Sequence, residues 1–231
     1  MGKDVIIACD FAGRDQTIDF LEAFGEERPF VKIGMELFYA AGPDIVRELK
    51  ARGHKVFLDL KLHDIPNTVE KTMRVLSTLG ADIVNLHAAG TRAMMEAAME
   101  GVTRPDGSRP LVIAVTQLTS TSEERMRGEL LIDADMQETV LHYAENARDA
   151  GLDGVVCSPL EAGAIHARCG DMFLTVTPGI RFADSDVGDQ VRIMTPDKAR
   201  ANSDYIVVGR PITAADDPVA AWRRCVAEFV D

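Results

Sequence analysis

Phe57-Leu58-Asp59-Leu60-Lys61-Leu62-His63-Asp64-Ile65-Pro66-Asn67-Thr68 is the stretch from which fold and chemistry can both be read. Residues 55–60 read as a strand. Side chains on a strand alternate between faces, so Asp59 and Lys61 leave the same face near its C-terminal end, while Leu58, Leu60 and Leu62 point the other way. Pro66 is placed to start a helix, because proline at the first helical position gives up an N–H that has no partner there. Asp64 then falls on the turn between strand and helix. An isolated Asp-x-Lys is an ordinary surface ion pair, of little energetic value. Asp, Lys and Asp alternating within six residues at one strand end are a stronger signal.

Outward from this stretch, short apolar runs recur at 5–8, 30–33, 55–60, 83–86, 111–115, 154–157, 173–176 and 205–208. Between them, apolar residues return at three- and four-residue spacing, as in Ile45 and Leu49 after Pro43, or Val69, Met73 and Leu76 after Pro66. A last helix is predicted over 218–230, with Asp216 or Asp217 placed to cap it. Strands apolar on both faces, each followed by a helix, belong to a parallel sheet covered by helices. Eight such units predict a (β/α)8 TIM barrel, a fold typically of about 250 residues. An open doubly wound sheet is the alternative, but Asp10-Phe11-Ala12-Gly13 stands where a glycine-rich dinucleotide fingerprint would follow the first strand. Two connections are long, 116–134 and 177–196, as binding loops and lids often are.

The 231 residues, 46% of them hydrophobic, provide for one substantial core, so a single domain over 1–231 is expected. With 37 acidic against 25 basic residues the net charge is -12, which opposes attraction to nucleic acid or an anionic membrane. Any anionic ligand must be held by local contacts. Cys9, Cys157, Cys169 and Cys225 form no Cys-x-x-Cys pair and no zinc spacing with the histidines, so buried free thiols in a reducing compartment are expected. The apolar run after Met1-Gly2-Lys3-Asp4 is too short for a signal peptide or a membrane span, and Ile6 lacks the hydroxyl of a myristoylation site. A soluble cytoplasmic protein is expected.

Active sites of TIM barrels gather at the C-terminal strand ends, and the polar residues of this sequence fall there. Asp10 ends the first strand, Lys32 lies in the second, Asp59, Lys61 and Asp64 close the third, and His87 follows the fourth. Thr116, Gln117, Thr119 and Ser120 follow the fifth, Ser158 the sixth, Arg181 and Gln190 the seventh, and Gly209-Arg210 the eighth. The opposite ends read as ordinary loops. Lys32 interrupts an apolar run, and a lysine inside a barrel needs a carboxylate against it. Gly209-Arg210-Pro211 has the parts of a phosphate site, which this fold often builds after strands seven and eight. The segment from Thr177 through Arg181 to Gln190 reads as a lid able to close over that phosphate. A metal is not expected, because Lys61 would repel it from Asp59, Asp64 and His87. His87 reads as a satisfied strand-end histidine, and His63 as facing away from the site.

The stretch at 59–68 closely resembles the Asp-x-Lys-x-x-Asp-Ile-x-x-Thr signature of the orotidine 5'-phosphate decarboxylase family, in its short single-domain bacterial form. The resemblance extends to Ala8-Cys9-Asp10, Val31-Lys32-Ile33-Gly34, His87-Ala88-Ala89-Gly90, Leu118-Thr119-Ser120, Thr177-Pro178-Gly179-Ile180-Arg181, Val187-Gly188-Asp189-Gln190 and Gly209-Arg210-Pro211-Ile212. It implies conversion of orotidine 5'-phosphate to uridine 5'-phosphate and carbon dioxide, the last step of de novo pyrimidine synthesis, without cofactor or metal. It further implies Lys61 beside C6 of the pyrimidine as proton donor, Asp59 near the departing carboxylate, and Lys32 and Asp64 completing the charge array. Lys32 and Asp10 would touch the ribose, Thr119 and Ser120 the pyrimidine, and Arg181, Gln190, Gly209 and Arg210 the phosphate. Asp64, Ile65 and Thr68 would reach a neighbouring subunit's site, implying a homodimer. Only Phe182-Ala183-Asp184, in the lid, departs from the family pattern. The nearest rivals are the magnesium-dependent 3-keto-L-gulonate 6-phosphate decarboxylases, with a glutamate in the place of Lys32, and a non-catalytic barrel that binds a phosphate ligand.

Overall fold

The computed structural model describes residues 2–183 and 194–231. Eight parallel strands close into a barrel in sequence order: β1 (Asp4–Ala8), β2 (Phe30–Gly34), β3 (Val56–Leu62), β4 (Ile83–His87), β5 (Leu111–Val115), β6 (Gly154–Val156), β7 (Leu174–Thr177) and β8 (Tyr205–Val208). The seam is a parallel ladder in which Asp4 to Ile7 face Tyr205 to Val208. Helices fill the connections: α1 (Arg14–Glu22), α2 (Met35–Ala41), α3 (Asp44–Ala51), α4 (Pro66–Ser77), α5 (Thr91–Val102), α6 (Glu123–Leu130), α7 (Met136–Asp149), α8 (Ala162–Cys169), α9 (Pro196–Ala199), α10 (Arg210–Thr213) and α11 (Pro218–Phe229). The TIM barrel expected from the alternating runs is the observed fold.

Local chemistry sets the helix boundaries. Pro66 and Pro218 stand in the first turns of α4 and α11, and the Asp217 carboxylate accepts from the Ala220 N–H, capping α11. The connection 116–134, expected as a loop, instead contains α6, which the Ser122 hydroxyl caps by accepting from the Arg125 N–H. The strands sort their side chains into two cores. Val5, Ile7, Val31, Ile33, Val56 and Leu58 pack outward under the helices, while Ile6, Phe30, Phe57, Ile83, Ile113 and Leu174 fill the barrel interior. Gly101 of α5 is a point of close approach, since a Cβ there would overlap the Glu70 carbonyl of α4.

The N-terminal rim is more ordered than the loop-like sequence suggested. Asp82, Asp153 and Asp204 each precede an even-numbered strand, in the dipeptides Asp82-Ile83, Asp153-Gly154 and Asp204-Tyr205. Each carboxylate reaches to the start of the preceding odd strand and accepts its backbone N–H: Val56 at 2.7 Å, Val112 at 2.7 Å and Thr175 at 2.8 Å. Each also has a basic partner, Lys50, Arg109 and His166 respectively. A charged acceptor on a backbone N–H is worth about 1.5–3 kcal/mol. Asp153→Ala is therefore expected to lower the unfolding free energy by about 2 kcal/mol in urea denaturation, with the far-ultraviolet circular dichroism of the folded protein unchanged.

Candidate active site

Inside the barrel, residues two apart on one strand stack in layers. Phe30, Phe57 and Ile83 form part of an apolar floor. Two residues further along the same strands stand Lys32, Asp59 and Asn85, all buried. Lys32 Nζ lies 3.3 Å from Asp59 Oδ2 and 3.0 Å from Asp10 Oδ1, and Lys61 Nζ lies 2.7 Å from Asp59 Oδ1. The chain Asp10, Lys32, Asp59, Lys61 is thus a continuous line of alternating charge, from the exposed Asp10 just after β1 to the mouth above β3. Gly34 leaves room for it, because a Cβ there would come within 3.2 Å of both Asp10 Oδ1 and Lys32 Nζ.

Regular alternation along β3 was expected to turn Asp59 and Lys61 to one face. The ion pair forms, but by another route. Leu58 pairs with Val84 and Leu62 with Leu86, so three residues of β3 stand opposite the single residue Asn85 of β4. Lys61 absorbs the irregularity with φ at 50°, in the left-handed region that costs a non-glycine residue about 1 kcal/mol or more. The Asn85 side chain meets the displaced backbone: its Oδ1 accepts from the Lys61 N–H at 2.8 Å, and its Nδ2 donates to Asp59 Oδ1 at 2.6 Å. Asn85 was not singled out from the sequence. Its signal was a lone amide in the run Ile83-Val84-Asn85-Leu86, in phase with the interior residue Ile83.

Burial opposes the charge on Lys32, but Asp59 and Asp10 outweigh it and hold the ammonium above its ordinary range. Burial likewise opposes the charge on Asp59, and Lys32 and Lys61, with hydrogen bonds from Lys61 and Asn85, keep its carboxyl below the usual carboxylate range. Two ammonium groups at 2.7 and 3.3 Å occupy the approaches that a cation would need to reach Asp59. Among the described residues no cluster of three His, Cys, Asp or Glu could hold a metal.

These groups line a cavity of about 240 Å³. Lys32, Asp59 and Lys61 line it with Thr119, Ser120 and Gln117, and Phe57, Val115, Val156 and Val207 give it apolar surface, a combination suited to a flat polar ring. Gln117, buried at the end of β5, joins the wall beside the two hydroxyl residues. Arg181 is buried after β7, its guanidinium donating to the Ile180 carbonyl at 2.8 Å. Gly209 caps the short α10, which begins at Arg210. Gln190, with the whole of 184–193, lies outside the described residues.

Asp64, Ile65 and Thr68 depart from the cluster. Asp64 is exposed, accepts from the Ile65 N–H and has no ion pair among the described residues, so within one chain it does not complete the charge array. Ile65 is 65% exposed, unusual for a large apolar side chain, and Thr68 sits in the first turn of α4. His63 lies outside the cavity lining, as expected, with its ring 5.5 Å from that of His87. His87 is half-buried at the end of β4, and burial, with His63 and Lys61 nearby, lowers its pKa. Of the four free cysteines, Cys9, Cys157 and Cys225 are buried and Cys169 is half-buried.

The direction of the Asp59 shift fixes a pH dependence. A carboxyl held below its unfolded value of 3.8 contributes stability that is fully present above that value and is lost as pH falls through the folded value. The difference in unfolding free energy between wild type and Asp59→Asn is therefore expected to stay constant from about pH 5 to 8, and to decline below about pH 4 by at most about 1.4 kcal/mol per pH unit. Urea titrations of both proteins at stepped pH measure it.

Comparisons with known proteins identify the family. The model of the orotidine 5'-phosphate decarboxylase / HUMPS family matches residues 3–225. A protein of Bacillus cytotoxicus named orotidine 5'-phosphate decarboxylase is 55% identical over 227 residues, 96% of this chain and 95% of its own. One of the same name from Geobacillus sp. (strain WCH70) is 53% identical over 233 residues, covering 99% of this chain and 98% of its own. Among solved structures, the orotidine 5'-phosphate decarboxylase of Lactobacillus acidophilus superposes with a TM-score of 0.89 at 43% identity, covering 99% of this chain and 100% of its own. With the match spanning nearly the whole barrel, this chain belongs to the orotidine 5'-phosphate decarboxylase / HUMPS family.

Proposed function

We propose that this protein converts orotidine 5'-phosphate to uridine 5'-phosphate and carbon dioxide, the closing step of de novo pyrimidine synthesis. The observation that carries the reading is the buried line of Lys32, Asp59 and Lys61 against a cavity with both apolar and hydroxyl-bearing walls. Breaking the C6–carboxylate bond leaves an electron pair in the plane of the pyrimidine, with no conjugated group to accept it. The protein must then meet that charge directly. Lys61 does so with its ammonium and transfers one N–H proton to C6 as carbon dioxide leaves. Asp59 stands near the departing carboxylate, and Lys32 with Asp10 faces the ribose hydroxyls.

Thr119 and Ser120 bind the pyrimidine edge, and Arg181, Gln190, Gly209 and Arg210 the phosphate. Contact energy from that remote group serves the transition state. Asp64, Ile65 and Thr68 act in the site of a second subunit, completing its charge array. The exposure of Ile65 and the absence of an ion pair at Asp64 among the described residues support a homodimer with shared sites. The reaction uses neither metal nor cofactor, and Lys32, in place of the rival's glutamate, supports this over magnesium chemistry. Among the described residues no helix is long and apolar enough to cross a membrane. The net charge of -12 supports an enzyme that leaves nucleic acid and anionic membranes alone, and its free cysteines support a reducing compartment such as the cytoplasm.

Ultraviolet absorbance with orotidine 5'-phosphate tests the reading. The wild type is expected to turn over fully in EDTA; loss of turnover restored by magnesium would favour the rival, and an unchanged spectrum a binding protein. Lys61→Ala is expected to lower kcat by at least about 10⁴-fold, combining lost proton transfer and lost charge stabilisation, while uridine 5'-phosphate still binds. Mixing inactive Lys61→Ala with inactive Asp64→Ala is expected to restore about a quarter of wild-type activity, because half of randomly paired dimers then hold one intact site of two. No restoration would place Asp64 in its own subunit's site.

A further inference from the structure

Asn85 is 1% exposed, belongs to the strand after the Asp-Lys motif, and has no part in the charge line itself. Its two hydrogen bonds determine its orientation. A backbone N–H only donates, so the atom facing Lys61 N at 2.8 Å is the carbonyl oxygen. The ionised Asp59 only accepts, so the atom 2.6 Å from its Oδ1 is the amide nitrogen. The same Asp59 oxygen receives the Lys61 ammonium at 2.7 Å. One short, stiff side chain therefore ties together the backbone of Lys61, at the point where it leaves the regular ladder, and the carboxylate that its ammonium pairs with.

We propose that Asn85 is a positioning residue: it holds Lys61 in the left-handed turn of β3 and fixes Asp59 Oδ1, so that the Lys61 ammonium is presented to the reacting carbon. This rests on the decarboxylase reading and deepens it. Asn85 touches no reacting atom; it acts through Lys61 and Asp59. Without its carbonyl, the Lys61 N–H lacks the acceptor that makes the left-handed angle acceptable, and the backbone is free to relax. Without its amide nitrogen, Asp59 Oδ1 is held by the lysine alone, and the two can swing together. A shift of about 1 Å in a reacting group is enough to lose about 10²-fold in rate.

Steady-state turnover of Asn85→Ala and Asn85→Asp, with uridine 5'-phosphate affinity measured alongside, tests the proposal. Asn85→Ala is expected to lose about 10²-fold in kcat, with KM and product affinity within about threefold of wild type. Asn85→Asp keeps the acceptor for Lys61, but donates to Asp59 only when protonated. Its kcat is therefore expected to fall as pH rises from about 5.5 to 8, where the two carboxylates come to repel each other and the wild type stays flat. A kcat for Asn85→Ala within threefold of wild type overturns the proposal, as does a loss of product affinity in step with kcat. Should Asn85→Ala fail to fold, Asn85→Asp decides, and a kcat deficit independent of pH overturns it. A wild type inactive on orotidine 5'-phosphate would remove the reaction but not the geometry. A crystal of Asn85→Ala then decides, a relaxed Lys61 backbone being expected and an unchanged left-handed φ contradicting the proposal.

Discussion

A carboxylate enclosed between two ammonium groups is the interaction on which the rest of the structure depends. Taking Asp59 and Lys32 out of water carries a penalty of several kcal/mol per ion, offset only where geometry is close and the remaining lone pairs are met. Lys32, Lys61 and Asn85 meet those of Asp59 within 3.3 Å. Such an arrangement needs walls that do not shift, and a closed parallel barrel packed with helices outside and Phe30, Phe57 and Ile83 beneath provides them. The charges are inherited from the sequence, but their spacing comes from the barrel.

The two ends of the barrel divide the work by the same means used differently. At the mouth, carboxylates pair directly with lysines along the wall of a cavity. At the opposite rim, Asp82, Asp153 and Asp204 face backbone N–H groups and basic side chains, tying neighbouring strands together. Aspartate at a strand boundary has one physical talent, accepting strongly from nearby donors, and its place relative to strand direction decides whether that serves chemistry or cohesion.

Much of this was legible in the sequence. The strands announced themselves because parallel strands in a covered sheet are apolar on both faces, and Asp59, Lys61 and Lys32 because charges inside such runs require partners. Four features were not legible, each for a physical reason. The helix Glu123–Leu130 is mostly polar and exposed, so it carries no stripe to set it apart from a loop. The left-handed Lys61 breaks an alternation that the sequence follows faultlessly, since an extra pair of residues in a ladder leaves the order of side chains unchanged. Asn85 is one amide in an apolar strand, and its meaning depends on what stands across the ladder. The aspartates of the far rim looked like loop residues because what they accept from is backbone, which every residue has.

The seam between β1 and β8 has a consequence during synthesis on the ribosome. β1 meets β2 early, but its other neighbour lies at 205–208, so the nascent chain stays an open, gapped sheet until β8 has emerged. Until then water has free entry to Lys32 and Asp59, and their pairing is weakened by solvent. Catalytic competence would thus arrive late and all at once, when the final strand shuts out the solvent, and a translation product that stops short of it would carry the motif without the environment that gives it power.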